Sequence, residues 1–310
     1  LTSIARTCAG IGDAIPTVLT MTVVPILGAL GTGSGYRAGF KWWALIIAIV
    51  FVISETVCVL CVPERPVKTD GSSTGILDMF KALIHNDQAM TVVASIILVY
   101  TSINICGNLI LYFFKFDVGN EGAYSVFAAV VFAAQVLVMM IVPALRRKFT
   151  KFELFIFGFI IQIAGFAMML LLAVSGIYTS DNWYVFCLPG CMVYIGYGIL
   201  NVIMTIFLSD SVDYGEVKNE TREESVIFSM QTFTVKLASG LAIFLAGIIV
   251  DVIKLDKNAL VQSQSTLNGL RMWMTIPSVI LLIIGIIIFK KFYKLNEQKM
   301  NEIKAKLKLK

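Results

Sequence analysis

The stretch FELFIFGFIIQIAGFAMMLLLAVSG, residues 152–176, has one charged residue near its start and is otherwise almost wholly apolar. A helix needs about 20 such residues to cross the hydrocarbon core of a bilayer. Runs of similar length and composition lie at 5–30, 41–62, 91–114, 123–145, 183–209, 227–252 and 270–293. Because apolar runs of this length satisfy their backbone in lipid as helices, we predict an all-α integral membrane protein with about eight transmembrane helices.

The composition of the whole chain supports this class. Hydrophobic residues make up 58% of the 310 residues and charged residues only 15%, whereas soluble domains carry about 25% charged residues. The six cysteines lie in or beside apolar runs, which favours a packing role over disulfides or metal ligation. We therefore predict no metal site and no cofactor.

The segment 63–90 is the longest polar connection between apolar runs. Its first part contains Pro and Gly, whereas apolar residues from Ile76 onward recur at helical spacing. This pattern predicts a linker followed by a short amphipathic helix at the membrane surface. The chain is thereby divided into a pair of helices (1–62), the linker, a six-helix unit (91–294) and a basic tail (295–310).

Basic residues collect after the even-numbered runs. The clearest examples are RRKFTK at 146–151 and the eight lysines between Lys290 and Lys310. Because basic loops stay on the cytoplasmic side, we predict a multi-pass protein of the plasma membrane with a cytoplasmic C-terminus. The tail is expected to contact anionic lipid of the bilayer rather than nucleic acid.

Lys236 lies about ten residues into the seventh run, roughly 15 Å along the helix axis. A charge at this depth usually faces the bundle interior or a water-filled cavity, and snorkelling to the interface is the competing interpretation. Thr232 lies one turn earlier on the same stripe. A lysine ammonium in a cavity can donate hydrogen bonds to ligand hydroxyls or pair with a carboxylate, so we predict a binding site here.

Two further pairs of polar residues lie inside apolar runs. Arg6 and Asp13 are two turns apart, roughly 10 Å, which is too far for an ion pair and suits a polar ligand held between them. Arg6 can alternatively anchor a helix end at the membrane interface. Asn104 and Asn108 are one turn apart and either bind the ligand or hydrogen-bond to a neighbouring helix.

Charges are dense between the sixth and seventh runs. The segment 210–225 begins DSVDYGE and ends REES, and we predict a glycine-containing turn in it. Such charges can hold helix ends together in one conformation and release them in another, although solvated loop charge is the alternative. The predicted network consists of Asp210, Asp213, Glu216, Arg222 and Glu224.

The stretches DSVDYGEVK (210–218) and REESVIFSMQTFTVK (222–236) resemble the signature of the glycoside–pentoside–hexuronide:cation symporters, a family of the major facilitator superfamily. NDQ at 86–88 and YFF at 112–114 are also similar to this family. The resemblance implies a major facilitator-type bundle of about twelve helices that takes up a sugar or glycoside together with Na⁺ or H⁺ by alternating access. It also implies a monomer in a bacterial membrane.

The resemblance further implies roles for individual residues. The residues implied to lie near the sugar are Arg6, Gln231, Thr232 and Lys236. The charge network is implied to stabilise an outward-facing state. Two residues depart from the pattern. The best-known member of the family has a tryptophan near the sugar where this chain has Asn201, and a glycine where it has Asp13. Both departures suggest a different substrate.

The start of the chain bears on how many of the expected twelve helices are present. Leu1 is followed within a few residues by an apolar run, without an initiator methionine. We expect about four helices of the twelve to be missing, together with the acids that bind the coupling cation and one sugar-binding acid. We expect no transport by the chain alone.

Alternative functions differ in the motifs that they require. The sequence contains no HExxH motif, nucleophile elbow or Gly-rich phosphate loop, and the single histidine, His85, lies in the linker. We therefore do not expect an enzyme. A sugar sensor or an uncoupled facilitator remains the alternative, because either could use the same cavity, and accumulation of substrate against a gradient separates them from a symporter.

Overall fold

The structure is a computed structural model that describes residues 2–30, 35–61, 84–219, 224–257, 259 and 261–308. Nine α-helices and no strand occupy these ranges. The helices are α1 (Thr2–Leu30), α2 (Tyr36–Cys61), α3 (Asp87–Tyr112), α4 (Ala123–Leu145), α5 (Lys151–Ser175), α6 (Cys187–Asn219), α7 (Glu224–Val252), α8 (Gln264–Phe292) and α9 (Glu297–Lys308). A π-helical turn, Phe113–Asp117, follows α3, and a 3₁₀ turn, Trp183–Phe186, precedes α6.

Seven of the described helices, α2 to α8, are long and apolar enough to cross a membrane, and α1 is an eighth span if its two arms count together. The arms of α1 meet at an angle of 50° between Thr20 and Thr22. Pro25 explains the bend, because its ring displaces the carbonyl of residue 21 and removes one helical hydrogen bond. The predicted all-α membrane bundle with about eight spans is confirmed.

Consecutive helices alternate in direction around a buried central helix. α3 is the most buried of the spans and packs on α6, α7 and α8, while α5 packs on α6 and α8. α1 packs on α4 and α6, and α2 packs on α1. The starts of α3 and α5 and the ends of α4, α6 and α8 meet at the end of the bundle where α9 lies, which we call the α9 end.

Glycines set the distance between α5 and α6. A Cβ atom added to Gly196 would lie 2.6 Å from the carbonyl oxygen of Gly158, and one added to Gly165 would lie 2.8 Å from the backbone nitrogen of Val193. Only residues without a side chain allow two helix backbones to approach this closely. The two helices therefore form a tight pair within the six-helix unit.

The helix α6 is longer than its apolar run. It continues to Asn219, so residues 210–216 are helical and the predicted glycine-containing turn is wrong. The polar residues at this end of α6 contact the ends of other helices. Gly215 permits a close approach, since a Cβ atom there would lie 2.8 Å from the side-chain nitrogen of Asn86.

Two other segments refine the prediction. α3 begins at Asp87 rather than at 91, because Asn86 caps it by accepting a hydrogen bond from the Ala89 amide (3.0 Å). The linker and most of the predicted surface helix lie outside the described residues. The basic tail forms α9, which packs on α6 and buries Met300 and Ile303; its contact with anionic lipid stays a prediction.

Candidate functional site

A cavity of about 460 Å³ lies between α1, α3, α4, α6 and α7, a volume within the range of small-molecule sites. Most of its lining side chains are polar or aromatic. Those used below are Tyr100, Asn104, Asn108, Gln135, Tyr197, Asn201, Lys236 and Ser239. The cavity therefore brings together residues from five helices that are far apart in the sequence.

Lys236 lines this cavity together with Ser239, which lies one turn further along α7. Lys236 is the one charged residue among the described side chains that line it. Its ammonium carries donors only, so it is complementary to hydroxyl, ether or carboxylate oxygens of a ligand. The structure thus places Lys236 at a polar cavity, and its role in binding stays a prediction.

Gln231 and Thr232 do not line the cavity. Gln231 is buried and donates a hydrogen bond to the hydroxyl of Thr205 on α6 (3.1 Å). The Thr232 hydroxyl donates to the carbonyl of Phe228 within α7 (3.4 Å). The structure therefore ties Gln231 to helix packing and leaves both predicted sugar contacts without support from this geometry.

Asn104 and Asn108 line the cavity one turn apart on α3. Each donates its side-chain nitrogen to the backbone carbonyl four residues earlier, on Tyr100 and Asn104, at 2.7 Å. Because a carbonyl can only accept, this contact fixes the orientation of both amides. Their side-chain oxygens remain as acceptors, which favours the ligand-binding interpretation over bonds between helices.

Two more amides line the cavity: Asn201, which the resemblance noted as a departure near the sugar, and Gln135, which sequence reasoning did not assign to a site. Asn201 donates its side-chain nitrogen to the hydroxyl of Tyr100 (2.8 Å) and, at 3.4 Å, to that of Tyr197. Its oxygen and that of Gln135 are buried without a hydrogen-bond partner. The signal for Gln135 was its place as the single polar residue in the middle of the fourth apolar run.

The α1 helix contributes Ala9, Gly10 and Thr17 to the lining. Arg6 and Asp13 belong to this helix, but their side chains lie outside the part of the chain that the structure describes. Their predicted roles in holding a ligand stay predictions.

The charged α9 end is organised differently from the prediction. Asp210 forms an ion pair with Lys151 of α5, and the side chains are 9% and 5% exposed. Lys151 is therefore not a loop charge: Thr150 and Glu153 form a capping box that starts α5 at Lys151. The pattern Thr-x-x-Glu could have identified this helix start from the sequence.

The pair between Lys151 and Asp210 lies within the six-helix unit and joins α5 to α6. Asp213 and Glu216 are partly buried further along α6, and Glu224 is exposed at the start of α7. Arg222 lies outside the described residues. Their role in a conformational network stays a prediction.

The segment Asn86-Asp87-Gln88 joins the start of α3 to α6 and to the end of α8. The Asn86 side chain donates to the carbonyl of Ser211 (2.8 Å), and Asp87 pairs with Lys218 (2.9 Å). Gln88 accepts a hydrogen bond from the backbone amide of Lys294 (2.7 Å). Three neighbouring residues thus connect the α9 end of α3 to α6 and to the end of α8.

A second buried ion pair lies at the opposite end of the bundle. Arg271 of α8 binds Asp117 through two parallel hydrogen bonds of 2.7 Å, and the side chains are 12% and 2% exposed. This bidentate geometry orients as well as attracts. The nearby Tyr178 lies in the loop after α5, where burial and the Asp117 charge raise the pKa of its phenol well above the ordinary value.

The described residues contain no group of three or more His, Cys, Asp or Glu side chains that could hold a metal ion. The described side chains that line the cavity are mainly amides, hydroxyls and aromatic rings, together with one lysine. Such a set of donors and acceptors matches a ligand that carries several hydroxyl groups.

The sequence model of a known family, described as "MFS/sugar transport protein", matches residues 1–297. The chain belongs to this family. The resemblance to the glycoside–pentoside–hexuronide symporters of the major facilitator superfamily is confirmed.

Several curated members of this group are similar to the chain. The raffinose carrier protein of Pediococcus pentosaceus is 27% identical over 310 residues, which cover 98% of this chain and 47% of the relative. The lactose permease of Leuconostoc lactis is 22% identical (93% and 45% covered), and the isoprimeverose transporter of Lactiplantibacillus pentosus is 26% identical (88% and 57% covered). The chain spans about half the length of the curated relatives it matches, which are transporters and not enzymes.

Proposed function

We propose that the whole protein is a secondary active transporter that moves a sugar or glycoside across the plasma membrane by alternating access, coupled to Na⁺ or H⁺. The observation that carries the proposal is the polar cavity around Lys236 in a chain of the MFS/sugar transport family. The cavity lies where α1 meets the six-helix unit. Transporters of this kind bind substrate near the middle of the membrane, between their helical repeats.

The chemistry of the cavity fits a sugar. Each sugar hydroxyl can donate one hydrogen bond and accept two. Lys236 supplies donors, whereas the side-chain oxygens of Asn104 and Asn108 supply acceptors. Arg6 and Asp13 are proposed to contact the same ligand from α1.

Coupling and gating are part of the same proposal. A cation that stabilises the sugar-binding conformation raises the affinity for sugar, and by linkage sugar raises the affinity for the cation. We assign the cation site to residues outside the described part of the chain. The charges of Asp213, Glu216, Arg222 and Glu224 are proposed to favour one of the two access states, with the C-terminus on the cytoplasmic side and the protein acting as a monomer.

Uptake into cells that express the whole protein tests the proposal. Labelled raffinose, lactose and isoprimeverose are offered with and without a Na⁺ gradient, and with and without a protonophore. We expect at least one sugar to accumulate above its external concentration and to leave the cells when the gradient collapses. Equilibration without accumulation would identify an uncoupled facilitator, and absence of uptake would favour a sensor.

A further inference from the structure

Gln135 is a buried polar residue in the middle of the otherwise apolar helix α4. It is the one polar residue of α4 beyond Ser125, it is 4% exposed, and it lines the cavity. Its side-chain oxygen has no partner among the described residues. Buried amides in membrane helices normally bond to a neighbouring helix, so this buried oxygen lacks the partner that such a group usually has, in a residue that lines the cavity.

The surrounding backbone holds the Gln135 side chain in a narrow slot. A Cβ atom added to Gly198 of α6 would lie 3.4 Å from the Gln135 Cγ atom, and one added to Gly10 of α1 would lie 3.9 Å from its Nε2 atom. Glycines on both neighbours let α4 approach them closely. The amide is therefore positioned by packing rather than by hydrogen bonds.

A second free acceptor lies close by on α6. Asn201 follows Gly198 by about one helical turn and therefore lies on the same side of the helix. Its nitrogen is held by the Tyr100 hydroxyl (2.8 Å), and its oxygen is buried without a partner. The wall formed by α4 and α6 thus contains two buried amide oxygens without a partner, both in residues that line the cavity.

We infer that Gln135, supported by Asn201, is a specificity-determining residue that accepts a hydrogen bond from one particular sugar hydroxyl. The inference rests on the proposed function. Gln135 was not assigned to sugar binding by the sequence signature, whereas Asn201 entered there only as a departure from the expected residue. A site built to hydrogen-bond a hydroxyl discriminates against the analogue that lacks it, because a buried polar group is then left unpaired.

The test compares Gln135→Met with Gln162→Met in the whole protein. Methionine keeps the unbranched shape of glutamine but has no carbonyl acceptor. Gln162 of α5 is a matched control, because it is likewise a buried glutamine whose side-chain oxygen has no partner, yet it does not line the cavity. Gln135→Glu keeps an acceptor oxygen in the same place and serves as the conservative variant.

The measurement is competition of uptake by the monodeoxy analogues of whichever sugar among raffinose, lactose and isoprimeverose is transported. In the unmodified protein we expect one analogue to compete roughly tenfold less well than the parent sugar. Gln135→Met should abolish that difference for this analogue alone, while Gln162→Met and Gln135→Glu should retain it.

The outcomes separate the inference from the proposed function. If Gln135→Met weakens recognition of every analogue equally, as a structural role would, the inference is wrong and the transport proposal stands. Loss of the tenfold difference in Gln162→Met would also overturn it. If the unmodified protein takes up none of the three sugars, the proposed function fails and the inference fails with it.

Discussion

Lys236 is the residue with the most direct link to the proposed transport. Its ammonium is the charged group among the described side chains of the cavity, and a hydrogen bond to a charged group contributes about 1.5–3 kcal/mol. Lys236→Met should therefore lower sugar uptake by about tenfold or more, measured as the initial rate at low substrate concentration. Lys294→Met, at an exposed position of the α9 end, is the control and should leave uptake unchanged.

Normal uptake by Lys236→Met would remove this lysine from the binding site. An equal loss in both lysine variants would instead point to reduced insertion or stability.

The pair between Lys151 and Asp210 concerns stability rather than binding. Asp210→Asn leaves a buried ammonium without its counter-charge, which should lower the free energy of unfolding by about 3–5 kcal/mol. The thermal midpoint of the whole protein in detergent measures this loss. Removing both charges in Lys151→Met with Asp210→Asn should recover most of it, because no unpaired charge remains.

The pair between Arg146 and Glu297 is the matched comparison for this measurement. It joins α4 to α9 at 3.7 Å, but the side chains are 29% and 49% exposed. Glu297→Gln should therefore cost less than about 1 kcal/mol. A midpoint for Asp210→Asn as high as that for Glu297→Gln would contradict the importance of the buried pair.

At the scale of elements, the contact between α5 and α6 depends on Gly196. A valine at this position would drive its Cβ atom to 2.6 Å from the Gly158 carbonyl oxygen, and overpacking of this kind costs about 1–3 kcal/mol. We expect Gly196→Val to lower the thermal midpoint and the yield of folded protein. Gly247→Val on α7 is the control, since nothing lies within 4 Å of a Cβ atom there.

Equal midpoints for the two glycine variants would show that α5 and α6 can separate without cost. A lower thermal midpoint in Gly247→Val alone would likewise contradict the importance of the contact between α5 and α6.

At the scale of the whole molecule, the proposed charge network should shift the balance between access states. Asp213→Asn removes one acid from the α9 end of α6, and we expect it to favour the inward-facing state. The reporter is Ser239→Cys, a cavity position, in a background from which all native cysteines have been removed. Its labelling by an impermeant thiol reagent in inside-out vesicles should become several-fold faster in Asp213→Asn.

Glu121→Gln is the control for that experiment. Glu121 pairs with Lys115 at the opposite, exposed end of the bundle, at 3.6 Å, and its loss should not change the labelling rate. An unchanged rate in Asp213→Asn would exclude this residue from the network.

The sequence predicted the membrane-spanning helices correctly but not where all of them begin and end. The apolar runs correspond to α1–α8, because apolar composition is a local property. The end of α6 was missed, since residues 210–219 are mostly polar and their packing on other helix ends, such as the hydrogen bond from Asn86 to Ser211, is not visible in the sequence. Lys151 was assigned to a loop, although its capping box was visible as Thr150 and Glu153.

The candidate site was predicted in part. Lys236, Asn104 and Asn108 were recognised because each is a polar residue inside an apolar run, and the structure brings them to one cavity. Gln231 was predicted to lie near the sugar because of the family resemblance. Its hydrogen bond to Thr205 could not be foreseen from the sequence. Gln135 gave a weak signal, because a single amide in a helix cannot reveal whether a partner exists.

The sequence by itself determined that this is a helical membrane protein, the approximate bounds of its spans and its family. These properties depend on local composition and on short contiguous motifs. Only the tertiary structure decided which polar residues share a cavity and which charges pair, as Asp210 does with Lys151. Those relations depend on how helices far apart in the chain pack together, and no local pattern encodes the packing.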